Sequence, residues 1–255
     1  DNSLRFNGGD AAHLTRTPSS ASNRKTWTYS VWVKIGEISA TDNWLFQSNK
    51  SSLTSWISIE GDKIIVYMSS GARLQSTALL RDPSAWYHIV LAVDTTQSTG
   101  SNRIKLYVNG SQITDFTTHE TYGSEDDEFG FNNNTEHEIG SGAGDAGRYW
   151  KGYMAEVHFI DGTALTPSSF GETDSDSGIW KPKSASVTFG TNGFYLEFKG
   201  TGTSQDSSGI GADTSGEDNH WAVSNLAATD QTTDTPTNNF ATWNPLVPIT
   251  NTQSE

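Results

Sequence analysis

Apolar and polar residues alternate without a break in the stretch WTYSVWVKI, residues 27–35. Strict alternation predicts a β-strand with one buried face, because successive side chains point to opposite sides of a strand. The other face carries polar residues together with Trp32, a large aromatic side chain. We expect the C-terminal segment to cover Trp32, since an exposed apolar patch lowers solubility; the alternative is that Trp32 contacts a partner.

Similar segments recur along the chain and are separated by residues that favour turns. They are SLRFNG (3–8), NWLFQS (43–48), SWISIEGDKIIVYMSS (55–70), WYHIVLAVD (86–94), NRIKLYVNGSQITDF (102–116), EHEIGSG (136–142) and GYMAEVHFIDG (152–162). Gly61-Asp62 and Asn109-Gly110 are typical of tight hairpin turns. The pattern predicts an all-β, antiparallel jelly-roll sandwich. One short helix is expected at residues 166–172, with Thr166 as N-cap and a proline at the first helical position.

The composition excludes several classes of protein. A net charge of −14 argues against nucleic-acid binding, which requires a basic surface. The chain has no cysteine, so neither disulfides nor thiolate zinc sites are possible. No apolar run is long enough to span a bilayer, and we expect no membrane insertion. Because the first residue is Asp rather than Met, we interpret the chain as a piece of a longer polypeptide.

The character of the sequence changes near residue 178, which divides the predicted sandwich (1–178) from a C-terminal region (179–255). That region holds one clear strand, in GTNGFYLEFKG, followed by polar segments that cannot form a core of their own. We expect these segments either to pack on the sandwich through Trp221, Phe240 and Trp243 or to link to a further module.

Five segments, taken in order, resemble the concanavalin A-like jelly roll of the laminin-G and pentraxin type. They are TWTYSVWVKIG, WYHIVLAVDTTQ, NRIKLYVNGSQI, IGSG and KGYMAEVHFIDGTALTPSSFGE, and the resemblance covers roughly residues 3–172. The resemblance implies a sandwich fold and leaves the function open, because such sandwiches occur in lectins, glucanases, lyases and structural spacers.

Two further segments resemble, more narrowly, virion proteins of tailed bacteriophages. They are HLTRTPSSASNRKTWTYSVWVK (13–34) and TDQTTDTPTNNFATWNPL (229–246). This resemblance implies a tail fibre or another protein of the virion surface, and therefore an extracellular location. It also implies contacts with other virion proteins and a homo-oligomeric assembly.

Carboxylates are poorly placed for glycoside hydrolysis, which needs two of them facing each other across a sugar. The acids of SEDDEFG (124–130) lie in a predicted loop, and EHE (136–138) supplies only two on one strand face. We therefore expect no enzymatic activity. The alternatives are a polysaccharide-degrading enzyme of the same fold and a purely structural spacer or decoration protein.

Calcium is a possible cofactor, because it binds carboxylate and carbonyl oxygens on Asp- and Gly-rich loops. The candidate ligands are Glu125, Asp126 and Asp127 in one loop and Asp174 and Asp176 in another. Asp in such loops also forms ordinary turns, which is the competing interpretation.

A host-surface glycan is the expected ligand, since sugars need a flat aromatic ring together with amide or carboxylate groups. The loops at 122–135 and 140–150 flank the strand EHEIG, and we expect them to share one surface. The candidate glycan contacts are Tyr122, Asn132, Asn134, Asp145, Arg148 and Tyr149. A calcium ion in the first loop would stiffen it before binding.

Overall fold

The computed structural model describes residues 2–49, 54–69, 71–142 and 147–239. The strands in chain order are β1 (Ser3–Phe6), β2 (His13–Arg16), β3 (Thr26–Ile35), β4 (Trp44–Asn49), β5 (Ser55–Glu60), β6 (Lys63–Tyr67), β7 (Arg73–Ser76), β8 (Trp86–Asp94), β9 (Ile104–Val108), β10 (Ser111–Ile113), β11 (Phe116–Thr121), β12 (Glu136–Ile139), β13 (Gly152–Asp161), β14 (Gly171–Thr173), β15 (Trp180–Pro182), β16 (Phe194–Leu196), β17 (Ala222–Ser224) and β18 (Gln231–Thr232). One α-helical turn, α1 (Gly100–Arg103), precedes β9.

Two antiparallel sheets form the sandwich. Sheet A has the strand order β10-β9-β8-β3-β13-β1-β18, and β16 also pairs with β13. Sheet B has the order β11-β7-β6-β5-β4-β12-β2-β17, while β14 and β15 form a separate small hairpin. The predicted antiparallel jelly-roll sandwich is thereby confirmed.

The predicted turns and helix agree only in part with the structure. Gly61 and Asp62 have φ of 54° and 66°, and Asn109 and Gly110 have φ of 47° and 81°. These left-handed conformations are those that tight hairpin turns require. The expected helix at 166–172 is a 3-10 turn, Pro167–Ser169, and its predicted N-cap makes no side-chain capping bond.

The main core lies between the two sheets and is rich in aromatic side chains. Trp27, Tyr29 and Val31 of β3 are fully buried on the inner face of sheet A. Phe46 of sheet B stacks on Tyr29 with ring centroids 4.7 Å apart and on Phe131 with centroids 4.6 Å apart. Each fully buried side chain of this size contributes roughly 1.5–3 kcal/mol of transfer free energy, so few apolar residues suffice for the fold.

The outer face of sheet A is also covered. Trp32 is 2 % exposed and packs with Trp86, Ala155, Tyr153 and Trp180. The expectation that Trp32 is covered is confirmed, and β15 (Trp180–Pro182) of the C-terminal region contributes to the cover. A second apolar cluster on the same face joins sheet residues to residues 165–189. Sheet A therefore has a core on each of its two faces.

The C-terminal region contributes to the main core as well. Trp221 is 1 % exposed, and its ring lies 5.0 Å from that of Phe194 and 6.3 Å from that of Phe46. Trp221 therefore anchors this region to the sandwich. The two other expected anchors, Phe240 and Trp243, lie outside the described residues.

Residues 233–239, which we call the C-terminal strap, cross the outer face of sheet A. Lys34 Nζ lies 2.7 Å from Asp234 Oδ2, and both side chains are buried. The Trp86 indole N–H donates to the same carboxylate at 3.2 Å, and Ser3 Oγ donates to the Asp234 carbonyl at 2.6 Å. Asn239 donates to the carbonyl of Ser84 at 3.0 Å. The strap thus joins the first strand of sheet A to the segment before β8.

Candidate functional site

The two loops expected to share one surface lie at opposite ends of the sandwich. Residues 122–135 lead into β12, and residues 140–150 follow it. β12 is paired on both edges, with β4 and with β2, so its two ends are the two ends of sheet B. Four residues of strand separate them by roughly 13 Å. The prediction of a common glycan surface made by these loops is therefore wrong.

Asn132 is an interior residue, which corrects the expectation that it contacts a glycan. It is 2 % exposed. Its amide donates to the Asp161 carboxylate at 2.5 Å and to the Asn23 carbonyl at 2.8 Å. Its side-chain oxygen accepts from Asn192 at 2.9 Å. Both polar atoms of the Asn132 amide are therefore hydrogen-bonded within the protein, and they hold the first loop against β13. Asn134 is exposed in the same loop, and its glycan contact stays a prediction.

Arg148 and Tyr149 lie at the other end of sheet B, and Asp145 is outside the described residues. The Arg148 guanidinium sits 4.9 Å from the ring centroid of Trp44. Trp44 stacks on Trp56 with ring centroids 4.8 Å apart, and Trp56 stacks on Tyr67 with ring centroids 4.0 Å apart. Rings stacked across neighbouring strands strengthen the sheet. Both faces of Trp56 are therefore already occupied by protein groups.

The acids of the first loop each contact a different protein group. The contacts are Glu125 with Arg103 (3.9 Å), Asp126 with Lys25 (3.1 Å), Asp127 with the Ser124 N–H (2.6 Å) and Glu128 with Arg24 (2.8 Å). The loop is also held to the end of β8, because Thr95 accepts from the Asp126 N–H at 2.8 Å. These contacts fix the loop through protein groups.

Asp174 caps a turn in the second proposed calcium loop. Its carboxylate accepts from the N–H groups of Asp176 (3.1 Å) and Ser177 (3.0 Å) and from Lys181 Nζ (2.8 Å). The hydrogen bond from Lys181, followed by those from Ser177, holds the pKa of Asp174 well below its usual value. Within the ranges that the structure describes, no three His, Asp or Glu side chains are grouped to hold a metal ion. Calcium binding stays a prediction.

A groove of about 290 Å³ opens at the edge of the sandwich where both sheets end, and we call it the edge groove. Sheet A contributes α1, β9 and β10, and sheet B contributes β11 and the residue after it. Its lining residues are Ser101, Asn102, Ile104, Lys105, Gln112, Ile113, Thr114, Phe116, Glu120 and Tyr122. Of the residues predicted to contact a glycan, Tyr122 lies in this groove.

Tyr122 combines an aromatic ring with a fixed hydroxyl group. The ring is half-buried and packs against the main core. Its hydroxyl donates to Glu120 Oε1 at 2.9 Å. Burial, followed by the hydrogen bond and charge of Glu120, raises the pKa of Tyr122 to about 12. The phenol is therefore neutral at physiological pH and holds the Glu120 carboxylate at the groove.

Three polar side chains that line the edge groove are uncommitted. Across the described ranges, the side chains of Asn102, Lys105 and Gln112 have neither a hydrogen-bond partner nor an ion-pair partner. Together with Glu120 they offer amide, ammonium and carboxylate groups beside two aromatic rings. Hydroxyl-rich ligands require such a combination of flat apolar surface and hydrogen-bonding groups.

Arg103 of α1 fixes the shape of the edge groove by joining the two sheets. Its guanidinium donates to the carbonyls of Gln97 (2.8 Å), Ser98 (2.9 Å) and Gly123 (2.8 Å). The first two belong to the segment after β8 of sheet A, and Gly123 follows β11 of sheet B. Because the side chain is 12 % exposed, these charge-assisted bonds are partly shielded from water. The groove is therefore preorganised.

Local sequence patterns contain no direct signal for most of this groove. Alternation in β9 places Lys105 opposite the apolar residues, but every strand with one buried face has such polar positions. Lys105 and Gln112 line the groove because β10 and β11 are edge strands of their two sheets. Strand order depends on pairings between distant segments, which a local pattern does not contain.

Comparison with known proteins gives the family. Residues 7–169 match the model of the concanavalin A-like lectin/glucanases superfamily, in its laminin-G form, and this match covers more than half of the chain. The chain belongs to the concanavalin A-like lectin/glucanase superfamily. The broader of the two sequence resemblances is thereby confirmed, and the narrower resemblance to bacteriophage virion proteins stays a prediction. A comparison of this superfamily member with functionally curated proteins finds no match.

Solved structures with a similar sandwich come from several kinds of protein. A heptameric SAP-like pentraxin from Limulus polyphemus is 16% identical, with a TM-score of 0.48 and coverage of 65% of this chain and 78% of that one. Domain 4 of an extracellular arabinanase from Geobacillus stearothermophilus, in complex with arabinotriose, is 20% identical. Its TM-score is 0.40, and the match covers 60% of this chain and 68% of that one. Domains LG4-5 of the mouse laminin α1 chain are 13% identical. Their TM-score is 0.44, and the match covers 72% of this chain and 45% of that one.

Over its described residues the protein has no helix that is long and apolar enough to cross a membrane.

Proposed function

We propose that this concanavalin A-like chain is a non-enzymatic module of a bacteriophage virion surface, in a tail fibre or another structural protein, that binds a host-surface carbohydrate in the edge groove. The observation that carries the proposal is the set of uncommitted polar side chains beside Tyr122 in a preorganised groove. The superfamily commonly binds carbohydrates, which supports this ligand class. The virion assignment rests on the sequence resemblance of residues 13–34 and 229–246.

The lining of the edge groove favours binding over hydrolysis. Glycoside hydrolysis by the usual route uses a pair of carboxyl groups, about 5–10 Å apart, on either side of the scissile bond. Glu120 is the only carboxylate among the groove-lining residues that the structure describes. Its hydrogen bond from Tyr122 suits it to accept further bonds from sugar hydroxyls.

A single groove of this size should bind a sugar weakly. We expect dissociation constants near the millimolar range, about 4 kcal/mol of binding free energy. Such affinity becomes useful when several copies act together, because linked sites raise the effective concentration. We therefore also propose a homo-oligomer displayed with other virion proteins. Light scattering on the purified chain tests this, and a strict monomer at high concentration contradicts self-assembly by this chain.

The test of the binding proposal is a glycan array, followed by titration calorimetry with the best ligand, with added calcium and with a chelator. Tyr122→Ala should abolish binding, because it removes the ring and releases Glu120. Tyr122→Phe should bind several-fold more weakly, since it keeps the ring and loses one hydrogen bond. Tyr149→Ala, at the opposite end of sheet B, is the matched control and should bind like the parent.

The outcomes separate the alternatives. Binding by Tyr122→Ala at the parental level places the glycan elsewhere on the chain. A parent that binds no glycan on the array favours the purely structural alternative. Release of reducing ends from any bound polysaccharide would contradict the non-enzymatic assignment. Equal binding with and without chelator would show that calcium is not needed at this site.

A further inference from the structure

A second pocket, of about 200 Å³, adjoins the edge groove on the outer face of sheet A. Its polar lining includes Asp94, Gln97 and Thr166, and its aromatic wall is Tyr107. Asn102 and Lys105 line both this pocket and the edge groove, so the two volumes meet at these side chains. We call the combined volume the extended groove.

Lys105 is the only cation among the described residues that line the extended groove. It lies on β9, half-buried, between Ile104 and Leu106, whose side chains are in the main core. The described parts of the chain provide no counter-ion for its ammonium group. A cation at the groove without a protein counter-ion is available to pair with an anionic ligand group through a charge-assisted hydrogen bond.

The two carboxylates that line the extended groove are already engaged. Asp94 accepts from the Thr96 hydroxyl and from the Gln97 amide, each at 2.6 Å. Glu120 accepts from Tyr122 at 2.9 Å. Neither is paired with Lys105 among the residues that the structure describes, so a ligand carboxylate does not have to displace an existing ion pair.

We infer that the extended groove binds an acidic oligosaccharide, with the carboxylate of a uronic-acid residue placed on Lys105 where the two volumes meet. This inference rests on the proposed carbohydrate-binding function and names the class of glycan. Flanking sugar residues would occupy the two volumes on either side, one beside Tyr122 and the other beside Tyr107. The overall charge of −14 opposes approach of a polyanion, but salt screens that repulsion beyond about 8–10 Å.

The experiment compares two probes that differ in one group. Oligogalacturonides and their carboxyl-reduced counterparts are titrated against the parent chain, Lys105→Met and Lys63→Met. Lys63 lies on β6, which β7 separates from β11; it is not among the residues that line either volume, and it provides a change of equal charge. We expect the parent and Lys63→Met to bind the uronate about tenfold more tightly than the reduced sugar, as one charge-assisted hydrogen bond predicts. Lys105→Met should lose this preference and bind the reduced sugar within twofold of the parent.

Each result decides a different point. Equal binding of both probes by the parent overturns the acidic-glycan inference and leaves the proposed function intact. A preference retained in Lys105→Met overturns the role of Lys105. Binding of neither probe, with binding of another glycan on the array, overturns this inference alone; binding of no glycan overturns the proposed function with it. Thermal unfolding of each variant shows whether a loss of binding reflects a loss of folding.

Discussion

His88 shows how strongly the interior of this protein constrains one side chain. The Trp180 indole N–H, which is a donor only, lies 3.0 Å from His88 Nδ1. Nδ1 must therefore accept, and the proton of the neutral ring is on Nε2, which donates to Ser30 Oγ at 2.9 Å. The ring also stacks on Trp32 with centroids 4.7 Å apart. Burial, with a smaller contribution from His158, lowers the pKa of His88 to about 3.

Three buried histidines make the fold sensitive to acid. Burial lowers the pKa of His137 and of His158 to about 4 each, as it lowers that of His88 to about 3. In the unfolded chain a histidine has a pKa of about 6.5. Between that pH and about 4 the unfolded state therefore binds protons that the folded state does not, and stability falls as the pH falls. We expect each histidine to lower the free energy of unfolding by about 2 kcal/mol when the pH is lowered from 7 to 5.

Chemical unfolding of His158→Phe at the two pH values isolates one of these contributions. Phenylalanine keeps the stacking on Tyr195, which has a centroid distance of 4.1 Å, and cannot be protonated. The destabilisation caused by this substitution should be about 2 kcal/mol smaller at pH 5 than at pH 7. Val31→Ala, a core substitution without a titratable group, should have the same effect at both. An equal effect of His158→Phe at both pH values would contradict a neutral His158.

Sequence patterns placed residues on strand faces correctly but did not show what lies against them. Alternation puts His88 opposite the apolar face of β8, which is the position of a surface residue. The structure buries it because Trp180, 92 residues further along the chain, lies over it. Asn132 shows the same limit, since it lies in a loop and its partner Asp161 belongs to β13, 29 residues further along the chain. Local patterns do not reveal partners of this kind.

The hairpin β14-β15 acts as a cover for sheet A, and its removal should be visible at His88. Trp180→Ala opens a path for water to the imidazole, so the pKa of His88 should rise from about 3 toward the ordinary value. Trp180→Phe removes the hydrogen bond but keeps most of the cover, and should leave the pKa low. An NMR titration of the His88 ring measures both. An unchanged pKa in Trp180→Ala would show that other residues exclude the water.

The C-terminal strap depends on one buried ion pair, Lys34 with Asp234. Lys34→Met leaves the Asp234 carboxylate buried with the Trp86 indole as a partner but without its cation. We expect a loss of about 3–5 kcal/mol in unfolding free energy, the usual effect of removing one member of a buried pair. Urea unfolding measures this change. The double variant Lys34→Met, Asp234→Leu should recover much of the loss, and a double variant no more stable than the single one would contradict the assignment.

Long elements were predictable from the sequence and short ones were not. β3, β8 and β13 have nine or ten residues each, enough for the alternation to be recognised. β17 and β18 have only three and two residues. β17 pairs with β2 and β18 pairs with β1, and each forms because its partner strand lies beside it in the folded protein. Tertiary context forms these short strands, whereas the long ones are specified by their own side chains.

For the molecule as a whole, the sandwich and the C-terminal region form one folding unit over the described residues. Residues after 178 supply six members of the main core: Phe194, Leu196, Phe198, Ile210, Trp221 and Leu226. A chain ending at residue 178 would lack these six side chains, and the core residues that they contact and the outer face of sheet A would be exposed. We expect that truncation to give no cooperative thermal transition, while a chain ending at residue 239 keeps one. Circular dichroism distinguishes the two, and a folded 1–178 fragment would contradict a single unit.

The pairing of the chain ends has a consequence for the order of events during synthesis. Ser3 bonds the carbonyl of Asp234 across a separation of 231 residues, and β1 pairs with β18. A ribosome adding about 5–20 residues per second delivers these partners many seconds apart. Throughout that interval β1 lacks its outer neighbour β18, and the Lys34 and Trp86 side chains on the outer face of sheet A lack the strap. Contacts this distant are typical of slow folding with a high contact order. A nascent chain of this protein is therefore most prone to aggregate just before β18 and the C-terminal strap emerge.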